Sequence, residues 1–152
     1  MSQTEAKVEV AIIEMPNPEI SGFTAATDVL HASNAETAAF TGSDRDYSRY
    51  KSGMLVIDLT AITLGAATGV TFILQGKDPL SGKYHQHVAT TSLNAAATRV
   101  IYFDESNATL SDTSTEIQAH PLLSTTYRFI TTIQGGAITT YTFSAYIMLK
   151  PQ

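Results

Sequence analysis

His85-Gln86-His87 sets two imidazoles two residues apart, on one face of any extended strand, a spacing that suits a metal such as zinc. A closed site needs a third and a fourth ligand, and His31 and His120 are the only other histidines. The pair therefore reads as surface histidines on a partly exposed strand. Asp44 and Asp46, with Glu36 nearby, suggest calcium by residue type. An EF-hand loop needs a longer pattern closing on Glu, and here Arg45 stands between the two acids. They read as a solvated, self-paired turn. Asp104, Glu105 and Asp112 are the candidates for a hydrolytic pair, but paired carboxylates matter only at a defined separation across a cleft. A polar loop is the plainer context for them.

Nucleophiles and phosphate loops fare no better. There is no G-x-S-x-G elbow and no G-x-x-x-x-G-K-S/T loop. Gly76-Lys77 superficially resembles a phosphate loop, but Asp78-Pro79 puts a negative charge and a proline where backbone N–H donors would be needed. Asn107-Ala108-Thr109 has the form of a glycosylation sequon and reads as coincidence. Tyr47, Tyr50, Tyr84, Tyr102, Tyr127, Tyr141 and Tyr146 could line a sugar-binding face, yet no tryptophan is present to stack on sugars. Tyrosine serves cores and protein interfaces equally well, and that reading is preferred. The expectation is a protein that is not an enzyme, with no catalytic residue, no metal and no cofactor.

Composition narrows the classes further. The chain has 152 residues, enough for one domain around one core. Its formal net charge is −5, and its nine basic residues are scattered, which argues against nucleic-acid binding through phosphate neutralisation. With no cysteine, disulfides, thiolate metal sites and a cysteine nucleophile are excluded. No stretch approaches the roughly 18 apolar residues of a membrane span. The first residues are polar and acidic where a signal peptide would be basic, so no secretion signal and no membrane partner are expected.

The elements that must position these residues read as strands. Tyr50 opens the regular part. Met54 to Thr60 is β-branched with one charge and suits a central strand. Val70 to Gln75 follows, with Val70, Phe72 and Leu74 inward. Tyr84 to Thr90 and Arg99 to Phe103 are further strands, and Asp104 to Ala119 reads as a long polar loop. Tyr127 to Gln134 leads through Gly135-Gly136 into Ala137 to Lys150, the pattern of a hairpin closed by a two-residue primed turn. On the second arm Tyr141, Phe143, Ala145, Ile147 and Leu149 share one face. Residues 23–50 are rich in Ala, Thr, Ser and Asn with no clean 3.6 period, so loop is expected there, with a short strand near Thr37–Phe40 and a charged surface turn at Asp44-Arg45-Asp46-Tyr47. The sum is an all-β chain, an antiparallel β-sandwich or barrel of about six to eight strands over residues 23–150. Residues 1–22 stand apart. Val8, Val10, Ile12 and Ile13 form a short apolar strand ahead of Pro16 and Pro18, which suits either an extended arm that pairs with a neighbouring sheet edge or a first strand of the same domain.

Between the strands at Val70–Gln75 and Tyr84–Val88 lies Gln75-Gly76-Lys77-Asp78-Pro79-Leu80-Ser81-Gly82-Lys83-Tyr84. Asp-Pro and Ser-Gly are strong turn dipeptides. This turn, the preceding Gly53 to Thr60 and Val70 to Gln75 runs, and the later Pro121 and Tyr127-Arg128-Phe129 resemble a group of small virion proteins of tailed bacteriophages. The resemblance spans roughly Tyr47 to Leu149. It implies a virion structural role, head decoration first, on the capsid surface, for a chain made in the host cytoplasm. It also implies the major capsid protein and further copies of the chain, as a trimer, for partners. It supplies no active site. Under it, Val8, Val10, Ile12, Ile13, Lys77, Asp78, Lys83 and Tyr84 are the candidate interaction residues. The alternatives are a neck, tail or baseplate component, or a carbohydrate- or receptor-binding module.

Overall fold

Threonine, valine, isoleucine and aromatic residues alternating with polar ones set a period of two, and the computed structural model has strands throughout. It describes residues 26–104, 111–112 and 116–151. The expected strand or arm at Val8–Ile13, with all of residues 1–22, lies outside the described residues. The strands are β1 (Ala26–Glu36), β2 (Arg45–Asp46), β3 (Tyr50–Thr63), β4 (Gly69–Lys77), β5 (Tyr84–Ala89), β6 (Ala97–Phe103), β7 (Ser111–Asp112), β8 (Glu116–Ala119), β9 (Thr126–Gln134) and β10 (Thr140–Pro151).

They form two sheets and no closed barrel, so the sandwich is the architecture. One sheet is six-stranded, in the order β1-β10-β3-β6-β8-β7; the other is four-stranded, β2-β9-β4-β5. Pairing is antiparallel except between β6 and β8, which run parallel. The alternating residues of β10 face inward as expected, with Tyr141, Phe143, Ala145, Ile147 and Leu149 all buried. They meet Val70, Phe72 and Leu74 of β4 and Tyr127 and Phe129 of β9 across the core. Phe143 lies at the centre: its ring centroid is 5.1 Å from that of Phe72 and 6.2 Å from that of Phe129. Each such side chain contributes ~1.5–3 kcal/mol by leaving water. The buried Tyr141 hydroxyl is satisfied by Thr131 Oγ1 at 2.6 Å and the Ala38 carbonyl at 2.8 Å.

Several expectations are corrected. β9 and β10 are not a hairpin. β9 pairs with β4 in one sheet and β10 with β3 in the other, so Gly135-Gly136 carries the chain from sheet to sheet. Residues 26–36, read as loop, form edge strand β1, and Thr37–Phe40, read as a strand, lie outside any strand. β1 carries register shifts between Val29 and His31 and between His31 and Asn34, so both Leu30 and His31 are buried and the period is lost. Asp104–Ala119 is not all loop, because β7 and β8 lie within it; Ile117 and Ala119 of β8 enter the core. Tyr47, assigned to a surface turn, is buried, and its hydroxyl donates to Asp28 Oδ2 at 2.7 Å.

Candidate functional site

The turn between β4 and β5 is built almost wholly from its own side chains. Lys77 and Tyr84 are paired across the two strands, and beyond them the Asp78 N–H donates to the Lys83 carbonyl at 2.8 Å. The Gly82 N–H donates to the Asp78 carbonyl at 2.8 Å. The Asp78 carboxylate then folds back over the turn: Oδ1 accepts from the Leu80 N–H at 2.9 Å and Oδ2 from the Ser81 hydroxyl at 2.5 Å. The Ser81 oxygen in turn accepts from the Lys83 N–H at 3.2 Å. Asp78 is the turn-forming residue because its short side chain reaches the amide two residues on. These bonds hold its carboxyl below the usual carboxylate range, the Ser81 hydroxyl chiefly. Gly82 takes φ +72° with open space around it, so it is there for the backbone.

The base of the hairpin is clamped to the next strand and to the 37–46 segment. The Arg128 guanidinium lies 3.4 Å from the Tyr84 ring centroid, and its Nε donates to Gln75 Oε1 at 2.8 Å. The Tyr84 hydroxyl donates to Asp44 Oδ1 at 2.5 Å, and Lys77 Nζ reaches Asp44 Oδ2 at 2.9 Å. The Tyr84 hydroxyl first, and Lys77 second, hold the Asp44 carboxyl below its ordinary value; Asp44 raises Lys77. Beneath this clamp the Ser124 hydroxyl and the His85 ring fill the space over Gly76.

Of the candidate interaction residues, the structure thus brings Lys77 and Tyr84 together around Asp44, and spends Asp78 inside the turn. Lys83 stays exposed. Val8, Val10, Ile12 and Ile13 lie outside the described residues. The sequence reading missed three members. Asp44 was assigned to a self-paired turn, but it holds the hairpin base, while Arg45 pairs with Asp28 at 3.0 Å instead. Arg128 is read as part of a strand and of the Tyr127-Arg128-Phe129 element of the resemblance, not as a partner of Tyr84. Leu80 is 96 % exposed at the tip, held in place by the Asp78 carboxylate. Its signal in the sequence was an apolar residue inside a Pro-x-Ser-Gly turn. Leu123, in the segment that packs against the hairpin base, is also largely exposed. His85 and His87 diverge in role: His87 packs against the Phe103 and Tyr127 rings, and burial pushes its pKa down. Among the described residues no group of three or more metal-ligating side chains comes together.

The fold and this site define an all-β sandwich protein that displays a self-braced hairpin at one end. The sequence matches no protein-family model and no curated protein. Solved structures similar to it include the following three. One is described as Bacillus endospore appendages forming a family of disulfide-linked pili, at 10 % identity and TM-score 0.41, over 85 % of this chain and 90 % of that one. Another is the SPBc2 prophage-derived protein YomS, at 10 % identity and TM-score 0.37, over 82 % of this chain and 92 % of that one. A third is infectious bursal disease virus, Gx strain, at 16 % identity and TM-score 0.39, over 82 % of this chain and 31 % of that one. These likenesses are loose, and none carries a function to this chain.

Proposed function

We propose that the chain is a structural protein of a tailed-phage virion, without enzymatic activity, that binds the outside of the head as a decoration or stabilising protein. The observation that carries this reading is the Gln75–Tyr84 turn. It is the segment that resembles the phage virion proteins, and its polar side chains are turned inward to brace one another. What it offers outward is Leu80 with Lys83 beside it. A braced apolar tip with a nearby cation loses little conformational freedom on docking, which suits a repeated contact on a capsid lattice. The partner is the major capsid protein.

Purified protein added to heads that lack it should bind to saturation at a stoichiometry fixed by the lattice. Leu80→Asp should lower that affinity tenfold or more while leaving the circular dichroism spectrum unchanged. Electron microscopy of virions decides the location. Density at the portal vertex or tail would replace the head reading with a neck or tail one, and failure to bind heads at all would sink it.

A further inference from the structure

An antiparallel sheet on the outside of a sandwich normally turns polar residues to water. The four-stranded sheet follows this on most of its outward face, around one apolar pair, Ile73 and Ile130. Gln134 on its outward face accepts from the Thr71 and Ser92 hydroxyls at 3.2 and 3.1 Å, and Arg128 bonds Gln75. The six-stranded sheet does not. Met148, Met54 and Tyr102 stand side by side across β10, β3 and β6, and Tyr146, Val56 and Val100 form the adjacent row. Val29 extends that second row onto β1 and is 55 % exposed; Tyr102 is 37 % exposed. Thr27 on β1 and Gln118 on β8 close the ends of the first row and Glu116 on β8 closes one end of the second, so the apolar patch centres on β10, β3 and β6. Lys150 and Ser52, with Asp104 close by, border the methionine row. Ser144, Asp58 and Thr98 border the valine row.

We propose that this outward face is a twofold interface, seated against the same face of a second copy of the chain. The pattern is self-complementary. A twofold axis lying in the interface, across the strands and between the two apolar rows, reverses the order of the rows. It lays Met54 on Val56 of the second copy, Tyr102 on Val100 and Met148 on Tyr146. Each contact but the last sets a large side chain on a smaller one, as interdigitating sheets require. The same operation brings Lys150 over Ser144, next to Asp58 on the facing border. The face, four rows deep on β10, β3 and β6 and two rows deep on β1 and β8, covers roughly 500 Å² per copy, below the ~800 Å² per partner of a standard interface and in the range of a weak, concentration-dependent dimer. An apolar centre with a polar border is the composition such interfaces have. A twofold pair differs from the trimer that the phage resemblance implies, and it is measured on the purified chain alone, independently of the head reading.

Sedimentation velocity of the full chain should show a concentration-dependent monomer–dimer equilibrium. Val56→Lys, a charge at the centre of the face, should give a monomer with an unchanged circular dichroism spectrum. Thr132→Lys, on the outward face of the other sheet, should remain dimeric. Lys150→Glu should weaken the dimer several-fold, and Asp58→Lys added to it should restore the affinity. That exchange decides the matter if Val56→Lys fails to fold. A wild-type chain that is monomeric or trimeric, a Val56→Lys variant that dimerises normally, or a charge exchange without rescue would each overturn the proposal.

Discussion

Two glycine-marked connections do opposite work in this molecule. The turn at 78–83 joins β4 to β5, neighbours in one sheet, and is held by its own side chains, Asp78 above all. The link at Gly135-Gly136 joins β9 to β10, which lie in different sheets, and is held by another piece of backbone. That piece is the 64–68 segment, which carries β3 into β4 over the same end. The Thr68 N–H donates to the Gln134 carbonyl at 2.8 Å, the Ala66 N–H to the Ala137 carbonyl at 3.1 Å, and the Thr139 N–H to the Thr63 carbonyl at 3.1 Å. The β3/β10 pair thus continues as the β4/β9 pair, a two-stranded ribbon folded over the end of the sandwich. A local turn tolerates change because water replaces what is lost. An arch that fits against a second arch does not.

The largest effect should follow from closing the space at the arch. Gly135 has φ +89°, and a Cβ there would stand 2.9 Å from the Thr68 nitrogen and Cγ2. Gly135→Val combines a left-handed β-branched residue with that clash and should cost on the order of 3 kcal/mol. For a chain of this length that lowers the melting temperature by roughly 6–12 °C. Gly82→Ala imposes only the left-handed strain, since nothing stands near its Cβ, and should cost about 1 kcal/mol. Thermal melts of the two variants side by side test the contrast. Equal losses would mean that the arch is no more constrained than the turn.

Glycine chemistry was legible at both places, but what it connects was not. A Gly-Gly pair states that the backbone can turn with positive φ; it does not state which strand lies alongside afterwards. That choice is made by residues far away, as β9 takes β4 and β10 takes β3. Alternation could not expose the error, because Phe129 and Phe143 point into the core whether their strands pair or face each other across it. The strands at 54–60 and 99–103 were legible through regular alternation and those at 70–75 and 84–90 through the turn dipeptides between them, whereas the bulges of β1 bury Leu30 and His31 in succession with no turn signal to mark the strand. In the candidate site, Asp78 was visible through local turn chemistry. Asp44 is 40 residues from the tyrosine it anchors, and nothing in the local pattern links them.

The smallest effect separates the two connections by pH. Asp78 and Asp44 both titrate below the ordinary carboxylate range, through the Ser81 hydroxyl and the Tyr84 hydroxyl respectively. A carboxyl whose pKa is lower folded than unfolded adds stability that is complete above the unfolded value and is lost as pH falls through the folded one. Acid should therefore loosen the turn, because protonated Asp78 no longer accepts two bonds as a carboxylate. The arch at 64–68 and 135–139 is held by backbone N–H and carbonyl groups that do not titrate, so it should stay closed. The amide signals of Leu80 and Ser81 should shift with pH along the Asp78 titration, and Asp78→Asn should abolish that shift, while Ala66 and Thr68 stay still. Tyr84→Phe should raise the Asp44 pKa without moving that of Asp78, since the two carboxylates sit in separate hydrogen-bond networks. Parallel movement of the turn and arch signals would show that the hairpin tip and the sandwich end open as one unit, which the separate bonding of the two connections rules out.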